Sequence, residues 1–189
     1  LYGNHNTTIN NCYFDNCRWG IYFYDLLGNG ITIKNTVFFQ NTTALRSLGQ
    51  YVKLLDVDFD GCDYDWDADY MSGTSIMQNV RMSSTGAQNI SFHGIATLLA
   101  EKCSMSDATE GVRLDEATGK FRCSFNRFHT DYGFDVINGA KLIMNANWSN
   151  NVITNNDRVI ELTDAATLNL NNGENDLRPN TFGVDAIIN

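Results

Sequence analysis

One pattern of apolar and polar positions returns along the chain. It is clearest in Thr8-Ile9-Asn10-Asn11-Cys12-Tyr13-Phe14, followed by Asp15-Asn16-Cys17-Arg18-Trp19-Gly20-Ile21-Tyr22-Phe23. Residues 33–38, 54–59, 77–82, 100–105, 123–128 and 148–153 repeat 9–14. The last large apolar position of each copy forms a column: Phe14, Phe38, Phe59, Met82, Met105, Phe128 and Ile153. Its steps are 24, 21, 23, 23, 23 and 25 residues. A period in the twenties that tolerates small insertions is the mark of a solenoid, each repeat one coil stacked on the last.

A second column supports the coil. Gly20-Ile21-Tyr22-Phe23 is echoed by Gly111-Val112-Arg113-Leu114, Gly133-Phe134-Asp135-Val136 and Val159-Ile160-Glu161-Leu162. Alternation sends the apolar members inward and leaves Tyr22, Arg113, Asp135 and Glu161 along the outside of one sheet. A third strand per coil is expected around 31–33 and 141–143. Helical periodicity is absent, and 95–102 falls on the repeat columns and reads as strand. The expected fold is all-β, a β-helix of about seven to eight coils of 21–25 residues. The whole chain is one such segment, with clear repeats over 8–177 and a ragged last coil at 178–189. The chain opens on Leu1 with a repeat already under way by Thr8, and shows no polar capping unit, so it reads as a piece of a larger, processed protein.

Asparagine occupies 24 positions. Asn11, Asn35, Asn79 and Asn150 share one repeat position, with Asp56 in the same column. Asn tolerates the left-handed backbone of a tight corner, and stacked amides can bond along the axis. The Ile-x-Asn-x-x-Phe-x-Asn pattern, the period and the Asn corner resemble the right-handed parallel β-helix repeats of the pectate-lyase-like superfamily. The resemblance covers roughly 8–177. It implies a right-handed parallel β-helix solenoid, in a group that includes polysaccharide lyases, glycoside hydrolases, viral tailspikes and non-catalytic stalks of large surface proteins. Fold alone does not choose among these.

Composition narrows the choice. The chain is 43% hydrophobic and 19% charged, enough apolar matter for a continuous core. A net charge of −9 argues against nucleic acid and against unaided binding of polyanionic sugars. No apolar run approaches the ~18 residues of a membrane span. Of five cysteines at least one is unpaired. Cys12 and Cys103 share a repeat position with Val57 and Val80, as small core residues would, although a Cys12–Cys17 bridge is an alternative. No Cys-x-x-Cys occurs, which argues against structural zinc. The expectation is a non-catalytic module of a secreted or cell-surface protein, a stalk or glycan-contacting surface joined to other domains of its parent. A polysaccharide lyase or glycoside hydrolase is the alternative, and a viral tailspike fragment the second.

Three groups could carry chemistry. Residues 56–69 hold seven carboxylates, and Asp56-x-Asp58-x-Asp60-Gly61 resembles the opening of a calcium loop. Asp63 and Asp67 depart from the EF-hand pattern, and no helices flank it. The expected form is a projecting loop holding calcium through Asp63, Asp65 and Asp67, or through Asp56, Asp58 and Asp60 where the EF-like pattern governs. The row Arg113, Asp135, Glu161 is the catalytic candidate, since stacked coils ~4.8 Å apart make its members neighbours. By the resemblance, lyases use a carboxylate-bound calcium with a basic proton abstractor, and hydrolases use clustered Asp. The Asn-Thr-Asp, Gly-His-Gly and Arg-Ile-Lys signatures of polygalacturonases are missing. Trp19, Tyr22, Tyr64 and Trp66, beside carboxylates and amides, offer the stacking surface and hydrogen bonds that a sugar needs. Asn6, Asn41, Asn89 and Asn147 fit the N-glycosylation pattern, as composition alone would produce in an Asn/Thr-rich repeat.

Overall fold

A computed structural model describes residues 6–24, 30–49, 51–71, 73–129, 132–137, 141–145, 158–162 and 167–171. Side chains are described to residue 116, apart from 95 and 96, and at 134 and 137. Among the described residues the elements are strands only. The first coil contains β1 (Thr7–Asn10), β2 (Tyr13–Asp15) and β3 (Trp19–Tyr24). The next two are β4 (Ile31–Phe39) with β5 (Thr43–Leu48), and β6 (Val52–Asp60) with β7 (Tyr64–Asp69). Then follow β8 (Thr74–Ser83), the long β9 (Gln88–Ser106) and β10 (Glu110–His129), which each run from one coil into the next. The last are β11 (Tyr132–Ile137), β12 (Lys141–Asn145), β13 (Arg158–Leu162) and β14 (Thr167–Asn171).

Every strand pair is parallel and joins one coil to the next. The fold is an all-β parallel solenoid. Fully described coils number about four, fewer than the seven to eight that the repeat predicts. Beyond them β11 pairs with β13 and β12 with β14, while the connecting turns lie outside the described residues.

The expected aromatic column is the spine of this stack. Phe14 pairs with Phe38, Phe38 with Phe59, Phe59 with Met82, Met82 with Met105 and Met105 with Phe128. Ile153 lies outside the described residues. Rings stack face to face, Phe14 on Phe38 at 5.1 Å and Phe38 on Phe59 at 4.9 Å, with interplanar angles of 12° and 8°. The described inward side chains, from Ile9 to Phe134, join in one core. Cys103 is buried beside Val57 and Val80 as expected, and burial pushes its thiol up to about 11. Cys12 and Cys17 are separate free thiols, each bonded to a carbonyl two residues back, so the alternative bridge is not formed.

Each coil turns at corners held in the left-handed region. At the first, φ is 56° at Asn11, 48° at Asn35, 55° at Asp56, 53° at Asn79 and 54° at Lys102. At the second the same region holds Asn16, Gln40, Gly61 and Asp107, and at the third Gly49, Tyr70, Gly94 and Glu116. The Asn column was legible in sequence; its stacked amides are only partly formed. Asn79 donates to Asp56 within the column at 2.7 Å, whereas Asn35 donates sideways to Asn10 at 2.9 Å.

Two stability changes follow. Phe38→Ala empties the middle of the ring column and should cost about 3–5 kcal/mol in urea or thermal unfolding, because coils above and below are pinned and cannot collapse into the gap. Lys102 holds a backbone conformation that disfavours ordinary side chains, so Lys102→Asn should stabilise by about 0.5–1 kcal/mol. A fall in midpoint for Lys102→Asn would show that its corner is not strained.

Candidate functional site

One sheet carries most of the expected functional residues. In it β3, β5, β7, the start of β9, the start of β10, β11 and β13 lie side by side. Ile21, Leu45, Trp66, Ile90, Val112, Phe134 and Ile160 are register partners, and the first six fill the core. The first strand residues break the alternation. Asp65 and Trp66 both point inward, as do Ala44 with Leu45 and Asn89 with Ile90. The register skips one residue there, so each strand bends as it enters the sheet.

Three rows face outward. One runs Tyr22, Arg46, Asp67, Ser91, Arg113, with Asp135 and Glu161 next in the backbone register. Beside it runs Trp19, Thr43, Tyr64, Gln88, Glu110, and on the other side Tyr24, Leu48, Asp69, His93, Asp115. Trp19, Tyr22 and Tyr64 are exposed on this face. Trp19 stacks on Tyr22 at 5.6 Å, and the Arg18 guanidinium covers the indole at 4.7 Å. Next to these rings is a polar groove of about 270 Å³, lined by Arg46, Tyr64, Asp67, Gln88, Ser91, His93, Arg113 and Asp115. Arg46 pairs with Asp67 and Asp69; Arg113 pairs with Glu110 at 3.3 Å and Asp115 at 3.7 Å. Gln88 Nε2 donates to Glu110 at 2.7 Å.

The expected sites divide accordingly. Arg113, Asp135 and Glu161 do occupy one row on successive coils, though the side chains of Asp135 and Glu161 lie outside those described. Trp66 leaves the sugar-contacting group. It is sealed in the core, edge-on to Phe92, with its indole N–H donating to Ser47 Oγ at 2.8 Å. The acidic segment is not a projecting loop, because Tyr64–Asp69 is strand β7 within the coil. Its carboxylates are dispersed rather than convergent. Asp56 sits at a corner under Asn79; Asp58, on another sheet, makes a two-point pair with Arg81 at 2.7 Å, and Asp60 lies 3.8 Å from that same arginine. Asp63 is exposed, Asp65 is buried, and Asp67 faces the groove. Among the described residues no three His, Cys, Asp or Glu side chains converge as a metal site, so these donors do not fit the calcium set expected of them. Of the glycosylation patterns, Asn41 and Asn89 are buried; the Asn41 side chain bridges Cys17 N–H and the Phe14 carbonyl between coils.

Arg46, Gln88, Ser91, His93 and Asp115 line the groove without having been singled out in the sequence, and Asp67 was singled out only as a calcium ligand. A signal existed: Ile21, Leu45, Trp66 and Val112 each follow the ring column by seven residues, from Phe14, Phe38, Phe59 and Met105. With that offset, the row outside them could have been read in those four coils.

Asp65 was the least legible. Asn89 Nδ2 donates to its Oδ2 at 2.8 Å, yet Asp65 Oδ1 and Asn89 Oδ1 are both buried without a partner. Burial, with Asp58 and Asp60 also nearby, pushes its carboxyl well above the usual range, against the opposing bond from Asn89. A proton on Asp65 Oδ1 turns one of the two unmatched acceptors into a donor for the other. The pair then becomes a neutral acid–amide bridge between coils.

Set against protein families, curated proteins and solved structures, the chain matches none of them. The residues themselves define the class: a parallel β-solenoid with an aromatic and charged outer sheet face.

The neutral acid has a signed consequence. Because its folded pKa is raised, the native state holds a proton that the unfolded chain releases near pH ~3.9. Its contribution is intact below that pH and is lost as pH rises, by up to about 1.4 kcal/mol per pH unit until the raised value is passed. Asp65→Asn keeps the bridge without the ionisation. It should match the wild type near pH 4 and melt at a higher temperature at pH 8. Parallel melting profiles for the two proteins across that window would exclude a neutral Asp65.

Proposed function

We propose that this chain is a non-catalytic β-solenoid module of a secreted or cell-surface protein, a stalk joined to other domains, that contacts glycan chains through the outer face of the β3–β5–β7–β9–β10 sheet. Its repeat resembles those of the pectate-lyase-like superfamily, which includes non-catalytic stalks among its members. The observation that carries the reading is the placement of three exposed rings, Trp19, Tyr22 and Tyr64, on the same face as a groove of hydrogen-bonding side chains. Sugar rings present apolar faces that stack on aromatics and hydroxyls that need donors and acceptors at their edges. Here both lie side by side, with the rows running along the solenoid axis, so an extended chain can cross several coils.

A second reading, a polysaccharide lyase or hydrolase working from this face, draws on the register that sets Arg113, Asp135 and Glu161 on successive coils. Two carboxylates at one coil spacing would suit a retaining hydrolase. Turnover of a polysaccharide by the wild type, abolished in an Asp135→Ala/Glu161→Ala variant, would favour it over the binding module.

Affinity electrophoresis in gels containing plant, bacterial or animal polysaccharides tests the binding reading. At least one polymer should retard the wild type. Trp19→Ala/Tyr22→Ala should weaken that retardation tenfold or more, about 1.4 kcal/mol, while leaving the unfolding midpoint nearly unchanged because both rings are exposed. Retardation unaltered by the double variant would move the contact elsewhere.

A further inference from the structure

The groove's charges are arranged in a way that bears on which glycan it takes. Two guanidinium groups lie at it, and neither stands alone. Arg46 is held between Asp67 and Asp69, both on the neighbouring coil. Arg113 is held by Glu110 and Asp115 of its own strand, and Glu110 is fixed in turn by Gln88. Four carboxylates therefore surround two guanidinium cations, leaving two negative charges in excess among these six groups. All four carboxylate side chains are mostly covered, between 14% and 19% exposed, which limits screening by solvent.

We propose that this face selects an uncharged glycan and rejects uronic acids, and that Asp67, Asp69, Glu110 and Asp115 set the selection. The inference rests on the glycan-contacting reading above. A uronate carboxylate could pair with Arg46 or Arg113 only beside the two carboxylates already bonded there, or by displacing one of them. The displaced group would then sit beside the newcomer without its cation, two like charges in a partly covered site. A neutral sugar meets no such conflict. Its hydroxyls donate to carboxylate oxygens, which have acceptor capacity beyond the arginine bonds, and accept from guanidinium N–H groups, of which each arginine has five. Ser91 and Gln88 add hydroxyl and amide groups, and Tyr64 supplies a ring at the groove's edge. The same ion pairs that close the site to anions hold both arginines in fixed orientations, so they keep donors in place for an uncharged ligand.

The experiment compares neutral polymers (β-glucan, xylan, galactomannan, arabinan) with uronates (polygalacturonate, alginate) in affinity gels. It uses the wild type, Glu110→Gln/Asp115→Asn and Asp67→Asn/Asp69→Asn, with circular dichroism confirming that each is folded. The wild type should bind one or more neutral polymers and bind the uronates at least tenfold more weakly. Either double variant, by releasing an arginine from its carboxylates, should improve uronate binding at least tenfold. The second pair of substitutions keeps the test intact where the first disturbs folding. A wild type that prefers a uronate, or folded variants that gain nothing toward uronates, would overturn the selection while leaving glycan binding standing. Absence of retardation by every polymer would overturn the glycan reading itself.

Discussion

The molecule depends on one constraint: a residue must lie directly over its counterpart in the next coil. Strand-to-strand hydrogen bonds run parallel from coil to coil, and they survive only while every coil keeps the same outline. The ring column follows from this. Phe14, Phe38 and Phe59 stack face to face because their backbones are in register, not because each ring seeks another. The corners follow too. A left-handed residue at Asn11, Asn35, Asp56, Asn79 and Lys102 turns each coil at the same point, and the register permits no coil to turn elsewhere.

The constraint also explains how seven carboxylates fit within fourteen residues. A stacked coil distributes consecutive residues to opposite faces and successive sheets. The segment that looks like a cluster in one dimension is drawn out in three. Asp56 and Asp58 meet Asn79 and Arg81 from the coil that follows, while Asp67 and Asp69 meet Arg46 from the coil before. Repulsion along the chain is offset by attraction across it. Asp65 is the exception, carried inward by the strand bend, where the neutral form removes the cost of burying a charge.

The outer face shows the same logic turned toward function. Stacking converts positions roughly one period apart into neighbours, so a row such as Tyr22, Arg46, Asp67, Ser91, Arg113 becomes a surface strip. Because the solenoid interior is filled by the apolar columns, binding chemistry is confined to such strips. Rings cluster toward the first coil and charges toward the later ones, which gives the strip a direction along the axis.

Much of this was written in the sequence, and for a definite reason. Solenoid contacts are between equivalent positions of neighbouring repeats, so periodicity alone names the partners. The strand class, the ring column through Phe128, the Asn corner, and the shared row of Tyr22, Arg113, Asp135 and Glu161 were all readable that way. Alternation placed Tyr22 outside, and Trp19 and Tyr64, read as exposed rings at a corner and in the acidic segment, are exposed as well. Tertiary structure alone decided the rest. Alternation cannot see a bend that turns Asp65 and Trp66 inward together, so a sugar-contacting ring became core and a metal ligand became a buried acid. Nor could sequence show that each arginine of the groove is already matched by carboxylates, since Arg46 finds Asp67 and Asp69 from an adjacent coil. Which positions repeat is a property of the chain; which way each side chain leaves a bent strand, and which charge it meets there, is settled only when the coils close on one another.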